Sequence, residues 1–369
     1  MQCFTPMVRF YQLMPKGAKE KGLKGPQRIV PRGEVFANLK EDENYLTRIQ
    51  DRNYELEKQG SNWRFQLIPC RHCWACQLKY SAEWASRLTW ESQYHEHKYF
   101  ITLTYDEAHL PIYESFKYID EDGKVTTYEN DGTWNGTLEP QDMNKFINTI
   151  RKYYERQGIK GIKYFYCGEY GTETKRPHYH LILFGAPLDL EQFYDWYVDP
   201  KHKKLHWKSH QIDKWWNKGM VDIAEVEWNC CAYVARYCMK KLDQENDARV
   251  YAEAGKIKEM IRMSRRPGIG MRYYEEHKDH IYETDSVVQK TIGGNISTFK
   301  PPKAFDRKFE KDNPEVWAMI KESREAAAER NRLFKKELNK GISDREQLQR
   351  EAEKTIQKGQ MLKRVVQFD

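Results

Sequence analysis

The chain has 369 residues, enough for one large or two modest domains, and its 39% hydrophobic and 32% charged content spreads much of it over surfaces and helical extensions. A net charge of +7, from 62 Lys+Arg against 55 Asp+Glu, mildly favours a polyanionic partner, and 24 Tyr with 11 Trp among so many cations suit stacking on unpaired bases. No signal peptide or membrane-length apolar run is seen, and the eight cysteines fit a metal site better than a disulfide framework, so no membrane partner and a reducing cytoplasm are expected.

Residues 1–60 read as a loop-rich arm with one strand near 27–30, and Cys3 is its notable side chain. The run Cys70-Arg71-His72-Cys73-Trp74-Ala75-Cys76 follows. Cys-x-x-Cys spacing lets thiolates in a tight turn share one tetrahedral ion. Three thiolates need a fourth ligand for a closed structural zinc site; Cys3 is the first choice and His72 the alternative. An iron–sulfur cluster shares the spacing, and buried thiols without metal are the plain reading. Residues 77–97 carry Leu78, Ala82, Ala85, Leu88 and Thr89 at helical spacing, and residues 99–105 alternate as a strand. Thr102 and Thr104 share the face of Phe100, either as phosphate or substrate contacts or as ordinary strand formers. Asp-Gly turns at 122–123 and 131–132 mark an inserted hairpin across 112–139. Residues 142–156 make an amphipathic helix with Met143, Phe146, Ile147, Ile150 and Tyr154 inward.

Residues 162–167 and the stretch Arg176 to Gly185 then pair as a hairpin. In its second strand His178 and His180 share a face with Ile182 and Phe184, while Tyr179, Leu181 and Leu183 take the other. Two adjacent imidazoles in a strand apolar on both faces are costly unless hydrogen-bonded in the core or bound to a divalent metal. Glu169, at the end of the first strand, can reach that face and complete a Glu/His/His set; Glu173 is a weaker competitor, and a solvated turn glutamate is the plain reading. Residues 189–217 look helical and rich in Trp, and 219–227 form a strand.

Residues 229–241 form a helix with Asn229 as N-cap. Cys231, Val234, Ala235 and Cys238 make its small apolar face. Tyr233, Tyr237 and Lys240 fall opposite, within roughly 60° of one another at about 100° per residue. That trio is either a solvated face or a nucleophilic device. A phenol of pKa about 10 is a poor nucleophile unless a cation favours phenolate and a metal withdraws charge from the target phosphate. Arg262, Arg265 and Arg266 beside Gly268 and Gly270 make a basic loop, suited to positioning a phosphate or simply exposed. Residues 313–369 read as charged amphipathic helices, including Trp317, Ile320, Ala327 and Leu333, that pack on the body or bind a partner.

Pro177-His178-Tyr179-His180, Tyr233-x-x-x-Tyr237-x-x-Lys240 and the strand Phe100 to Tyr105 together resemble the HUH endonuclease superfamily, most closely the rolling-circle replication initiators of Microviridae phages of gokushovirus type. The likeness extends to the Cys70–Cys76 run, to Cys167-Gly168-Glu169-Tyr170-Gly171 and to the segment from Arg262 to Gly270, and so spans roughly residues 65–310. Arg71 and His72 stand where that family leads one to expect a Gly-Lys pair.

The resemblance implies an α+β fold: a ferredoxin- or RRM-like antiparallel sheet with flanking helices in residues 98–310, preceded by an arm, Cys cluster and helix in 1–97 and followed by a charged helical extension in 311–369. It implies Mg²⁺ or Mn²⁺ held by His178, His180 and, as third ligand, Glu169. Tyr233 and Tyr237 become the nucleophiles, with Lys240 stabilising phenolate or phosphate charge. Arg176, Arg262, Arg265, Arg266, Thr102 and Thr104 become the expected DNA contacts. The implied activity is nicking of single-stranded phage DNA at its origin through a 5′-phosphotyrosine, and rejoining after one round, in the host bacterial cytoplasm. A host polymerase is implied, and a host helicase too, since the chain holds no Gly-x-x-x-x-Gly-Lys-Ser/Thr phosphate loop. Two other readings stand: a plasmid- or transposon-type HUH nickase, told apart by its DNA substrate, and a non-catalytic zinc-stapled single-strand-binding protein, which would leave no covalent adduct. The pattern specifies no oligomeric state.

Overall fold

The order of elements in the computed structural model is β1 (Met7–Gln12), β2 (Gln27–Val30), α1 (Tyr45–Lys58), β3 (Trp63–Ile68), α2 (Trp74–Ser92), β4 (Lys98–Thr104), β5 (Ser115–Ile119), β6 (Val125–Glu129), α3 (Pro140–Glu155), β7 (Lys163–Tyr170), β8 (Pro177–Phe184), β9 (Phe193–Val198), β10 (Leu205–Ser209), α4 (His210–Trp216), β11 (Val221–Glu225), α5 (Ala248–Glu253), β12 (Met260–Met263), α6 (Met271–Thr284), β13 (Val287–Lys290), β14 (Ile296–Phe299), α7 (Lys303–Asp312), α8 (Pro314–Leu338) and α9 (Asp344–Val365). The structure describes residues 3, 7–13, 26–30, 45–71, 73–120, 122–171, 173–200, 204–226, 231, 234–235, 248–290, 296–338 and 341–365. The chain divides into two units, Met1–Lys79 with Lys321–Asp369, and Tyr80–Ile320.

In the first unit the arm is more regular than its Gly-, Pro- and Lys-rich sequence leads one to expect. β1 pairs antiparallel with both β2 and β3. Val8 is buried with Ile49 of α1, and Phe10, Phe65, Leu67 and Leu348 pack around them. Trp63 stacks on Phe10 at 4.6 Å between ring centroids. Asn53 of α1 supplies the hydrogen bonds a further strand would give β3: its side chain accepts from Phe65 N at 2.7 Å and donates to Phe65 O at 2.9 Å.

The second unit is built on a seven-stranded sheet of order β12-β7-β8-β4-β11-β10-β9. Every neighbouring pair in it is antiparallel. β8 is central and apolar on both sides, because each face is covered. On one face Tyr179, Leu181 and Leu183 pack with Ile101, Leu103 and Tyr166 against Met143, Phe146, Ile147, Ile150 and Tyr154 of α3. Each of those α3 side chains stabilises the unit by roughly 1.5–3 kcal/mol through burial. On the other face Ile182 and Phe184 pack with Phe165 and Cys167 against Trp84, Ala85 and Leu88 of α2, and against Cys231, Val234 and Ala235. A third cluster joins Trp90 to Tyr274, Ile281, Tyr282, Phe305, Phe309 and Trp317 under α6 and α7.

The fold is thus α+β with a large antiparallel sheet, a cysteine cluster near the N-terminus and C-terminal helices. The inserted hairpin is present as β5–β6. The helix expected over 189–217 is instead two strands, β9 and β10, and a short helix, α4. Phe193-Tyr194-Asp195-Trp196-Tyr197-Val198 is dense in aromatic side chains, which suit a half-covered pleated edge better than a helix. Of the helix expected over 229–241, Cys231, Val234 and Ala235 are helical and buried, as its apolar face requires; Tyr233, Tyr237, Cys238 and Lys240 lie outside the described residues.

Candidate functional site

Strand register assembles the site. Glu169 of β7 lies directly opposite His178 of β8, and Cys167 opposite His180. Residues directly opposite in an antiparallel pair share a face, so Glu169, His178 and His180 project together from the face that α2 covers further along. Gly168 lets β7 lie flat here: a Cβ on it would meet Leu138 and Tyr179 at 2.9 Å. On the other side, β4 sets Thr102 opposite His180 and Thr104 opposite His178.

Both histidine Nε2 atoms converge on one carboxylate oxygen, Glu169 Oε1, at 2.9 Å each. Glu169 and His180 are buried and His178 is partly open, so solvent and substrate reach the centre from the His178 side. Burial opposes ionisation of Glu169, but hydrogen bonds and charge from His178 and His180 outweigh it and hold the carboxyl down to about 2. The Nδ1 atoms are occupied elsewhere: His178 Nδ1 lies 3.3 Å from the Arg176 carbonyl oxygen and His180 Nδ1 lies 3.1 Å from Thr102 Oγ1. With Nδ1–H donating in both rings, each Nε2 lone pair is directed at the centre, the tautomer a metal ligand needs. Phe100 stacks on His180 at 5.5 Å and fixes its plane. Two imidazoles and a carboxylate on one side of an accessible position suit a divalent ion with coordination sites to spare. Thr102→Ala is expected to weaken that metal affinity about 10–100-fold, measured by Mn²⁺ titration, because His180 loses its orienting partner.

The second donor cluster is all sulfur. Cys3, Cys70, Cys73 and Cys76 place their Sγ atoms within 4.8 Å of one another. Cys3 Sγ is 3.4 Å from Cys70 Sγ and 3.7 Å from Cys73 Sγ. Backbone N–H groups of Cys70 and Cys73 donate to the sulfurs of Cys3 and Cys70 at 3.3 and 3.2 Å. Cys3, separated from Cys70 by 67 positions, completes the quartet. His72, the alternative fourth ligand, lies outside the described residues.

The other expected site residues sit differently. Thr102 serves His180, and Thr104 Oγ1 accepts from Met220 N at 3.2 Å. Arg176 donates to Glu107 and, at 3.0 Å, to the Tyr105 carbonyl. Arg262 lies opposite Tyr166 in the β12–β7 pair, and so on the sheet face away from Glu169. Arg265 and Arg266 are exposed beyond the end of β12 that pairs with Phe165. That end lies four residues along β7 from Glu169, about 13 Å at 3.3 Å per residue. The basic loop and the Glu/His/His centre are therefore at opposite ends of β7. Sequence reading did not single out the cations nearer the centre, Lys175 and Lys256, because they belong to no motif.

Fold and site together define an α+β protein whose open antiparallel sheet carries a Glu/His/His donor set able to hold a divalent metal. The family described as replication-associated protein ORF2 matches residues 98–242, the segment that contains Glu169, His178, His180, Tyr233, Tyr237 and Lys240. The chain is 38% identical over 275 residues to the replication-associated protein ORF2 of Spiroplasma virus 4, covering 73% of this chain and 77% of that one. It is 28% identical over 251 residues to the replication-associated protein VP4 of Bdellovibrio phage phiMH2K, covering 68% and 70% of the two chains. It is 30% identical over 199 residues to the replication-associated protein ORF4 of Chlamydia phage 1, covering 54% and 43%. No solved structure matches the chain. The chain belongs to the replication-associated protein family of these small phages, of Microviridae type. No helix among the described residues is long and apolar enough to cross a membrane.

Proposed function

We propose that the chain is a rolling-circle replication initiator of the HUH type, which nicks single-stranded phage DNA at its origin and rejoins it after one round. The observation that carries this reading is the convergence of His178 Nε2 and His180 Nε2 on Glu169 Oε1 at 2.9 Å, with both Nδ1 atoms engaged elsewhere. A divalent cation bound there, Mg²⁺ or Mn²⁺, would polarise the scissile phosphate and stabilise its developing charge. Glu169 and the two imidazoles hold the donor atoms in place before substrate arrives, so little reorganisation is needed in the transition state. Tyr233 or Tyr237 attacks phosphorus: the phenolic oxygen forms the new P–O bond, its proton is lost, and the 3′ oxygen leaves and is protonated. Lys240 favours the phenolate. The freed 3′ hydroxyl serves a host polymerase. The second tyrosine cuts the regenerated origin, and the 3′ hydroxyl it releases attacks the first phosphotyrosine and closes the circle. On this reading residues 98–310 carry the chemistry, 1–97 a metal-stapled arm and 311–369 a charged extension, and the protein acts in the host cytoplasm with a host helicase.

The test uses single-stranded origin oligonucleotides labelled at the 3′ end, Mn²⁺ and denaturing gels. A protein-linked labelled fragment is expected, and none with the Tyr233→Phe/Tyr237→Phe double variant. Full nicking and joining by that variant would end the proposal.

For the sulfur quartet the reading is a structural zinc. A tetrahedral site with Zn–S bonds of about 2.3 Å has sulfurs roughly 3.8 Å apart. The 3.4 and 3.7 Å separations around Cys3 suit one ion, and are short for thiolates that each bind a different iron of a cluster. Elemental analysis of the purified chain is expected to give about one zinc per chain, bound by Cys₄, and a clear loss with Cys3→Ser. Iron with acid-labile sulfide would contradict it.

A further inference from the structure

The cations around the Glu/His/His end of the sheet divide into two groups. Arg176 is held by Glu107 and the Tyr105 carbonyl, and Lys218 pairs with Asp142 at 3.4 Å. Lys175 and Lys256 differ: among the described residues neither forms an ion pair with a carboxylate. The turn's own Glu173 makes none with them, and Glu259 is engaged by the Tyr251 hydroxyl. Yet the fold holds the two lysines together. Lys256 Nζ donates to the Lys175 carbonyl at 3.2 Å and sits 4.5 Å from the centroid of the Tyr170 ring. Tyr170 in turn donates to Ile257 O at 2.6 Å, and Ile257 N donates to Thr137 Oγ1 at 2.6 Å, so the segment carrying Lys256 is fixed to the last residue of β7. Burial and the charge of Lys175 both disfavour the Lys256 ammonium. Two cations placed together in this way are an unfavourable arrangement that a bound anion would relieve.

We propose that Lys175 and Lys256 form a seat for a backbone phosphate of the single-stranded DNA, flanking the phosphate that is cut. The inference rests on the DNA-nicking reading of the Glu169/His178/His180 centre. Position supports the substrate strand as the source of the anion: Tyr170 directly follows Glu169, and Lys175 lies three residues before His178, about 10 Å along an extended chain. A lysine pair contacts phosphate as point charges and reads no base. The seat therefore sets register and contributes to affinity without adding sequence preference.

The experiment measures binding of the full chain to a fluorescein-labelled single-stranded oligonucleotide by anisotropy, without Mg²⁺ or Mn²⁺, over a series of KCl concentrations. Each phosphate neutralised on a single strand contributes about 0.7 to the slope of log K against log salt. The Lys175→Gln/Lys256→Gln variant is expected to bind more weakly on every sequence, with a slope shallower by about 0.7. Lys256→Arg, which keeps the charge, is expected to retain the wild-type slope, and Lys278→Gln on α6 serves as a remote control. A Gln double variant with the slope of that control would overturn the seat while leaving the nicking reading intact. Absence of DNA binding by the wild-type chain would overturn both.

Discussion

Glu169→Ala is expected to reduce metal-dependent cleavage of single-stranded DNA by on the order of 10³-fold, the loss of several kcal/mol of charge stabilisation at the phosphate. The effect is large because Glu169 Oε1 is the point on which both histidines converge, and no other described carboxylate belongs to that donor set. His178→Ala and His180→Ala should each fall similarly. His180→Ala should also lower the melting temperature, since its ring is buried and stacked on Phe100, whereas His178 is partly open. Glu169→Gln separates charge from shape: it preserves volume and one hydrogen-bond acceptor but removes the anion. Mn²⁺ binding by calorimetry should collapse in Glu169→Gln while the far-UV spectrum is kept. Undiminished cleavage by Glu169→Gln would remove the carboxylate from the metal set.

Glu91→Ala is expected to be among the most destabilising single changes in the second unit, by about 3–5 kcal/mol. Glu91 is buried on α2 and holds three elements at once. Its carboxylate pairs with Lys163 Nζ at the start of β7 at 2.8 Å, contacts His95 Nε2 at 2.9 Å, and accepts from Gly270 N, the cap of α6, at 2.7 Å. Removing it strands a buried ammonium and an unpaired backbone N–H. Against a total domain stability of about 5–15 kcal/mol this is a large fraction. Burial opposes the ionised carboxyl, but His95, Lys163 and Gly270 outweigh it and hold Glu91 below its ordinary value of 4.5. A depressed acid contributes stability that is fully present above its unfolded pKa and is lost as pH falls through the folded one. Denaturant melts of the wild type should therefore weaken below about pH 4.5, and Glu91→Gln should flatten that decline. A Glu91→Ala variant as stable as wild type at neutral pH would contradict the assignment.

The two donor sets were legible because each is carried by spacing. Alternation puts His178 and His180 on one face of one strand, and Cys-x-x-Cys turns bring sulfurs together wherever the chain goes afterwards. Glu169 needed only hairpin pairing to reach the histidines. What escaped depended on partners remote in sequence. Thr102 reads as a substrate contact until β4 is paired with β8, whereupon it becomes the partner of His180. Arg262 reads as part of a loop, but β12 adds to the sheet edge and turns it to the far face. Phe193 to Val198 mimicked a helix through its Trp spacing, and became a strand because β10 was available to pair with it. Lys175 and Lys256 are separated by 81 positions, and only the Tyr170 network joins them.

The most direct test of the central claim is to map the covalent bond. Wild-type protein is incubated with a single-stranded origin oligonucleotide and Mn²⁺, digested, and its peptides are sequenced by mass spectrometry. A nucleotide linked through its 5′ phosphate to Tyr233 or Tyr237, and absent when His178 is replaced by alanine, is the predicted result. Bound DNA with no adduct, or an adduct on a residue outside this pair, would contradict the account.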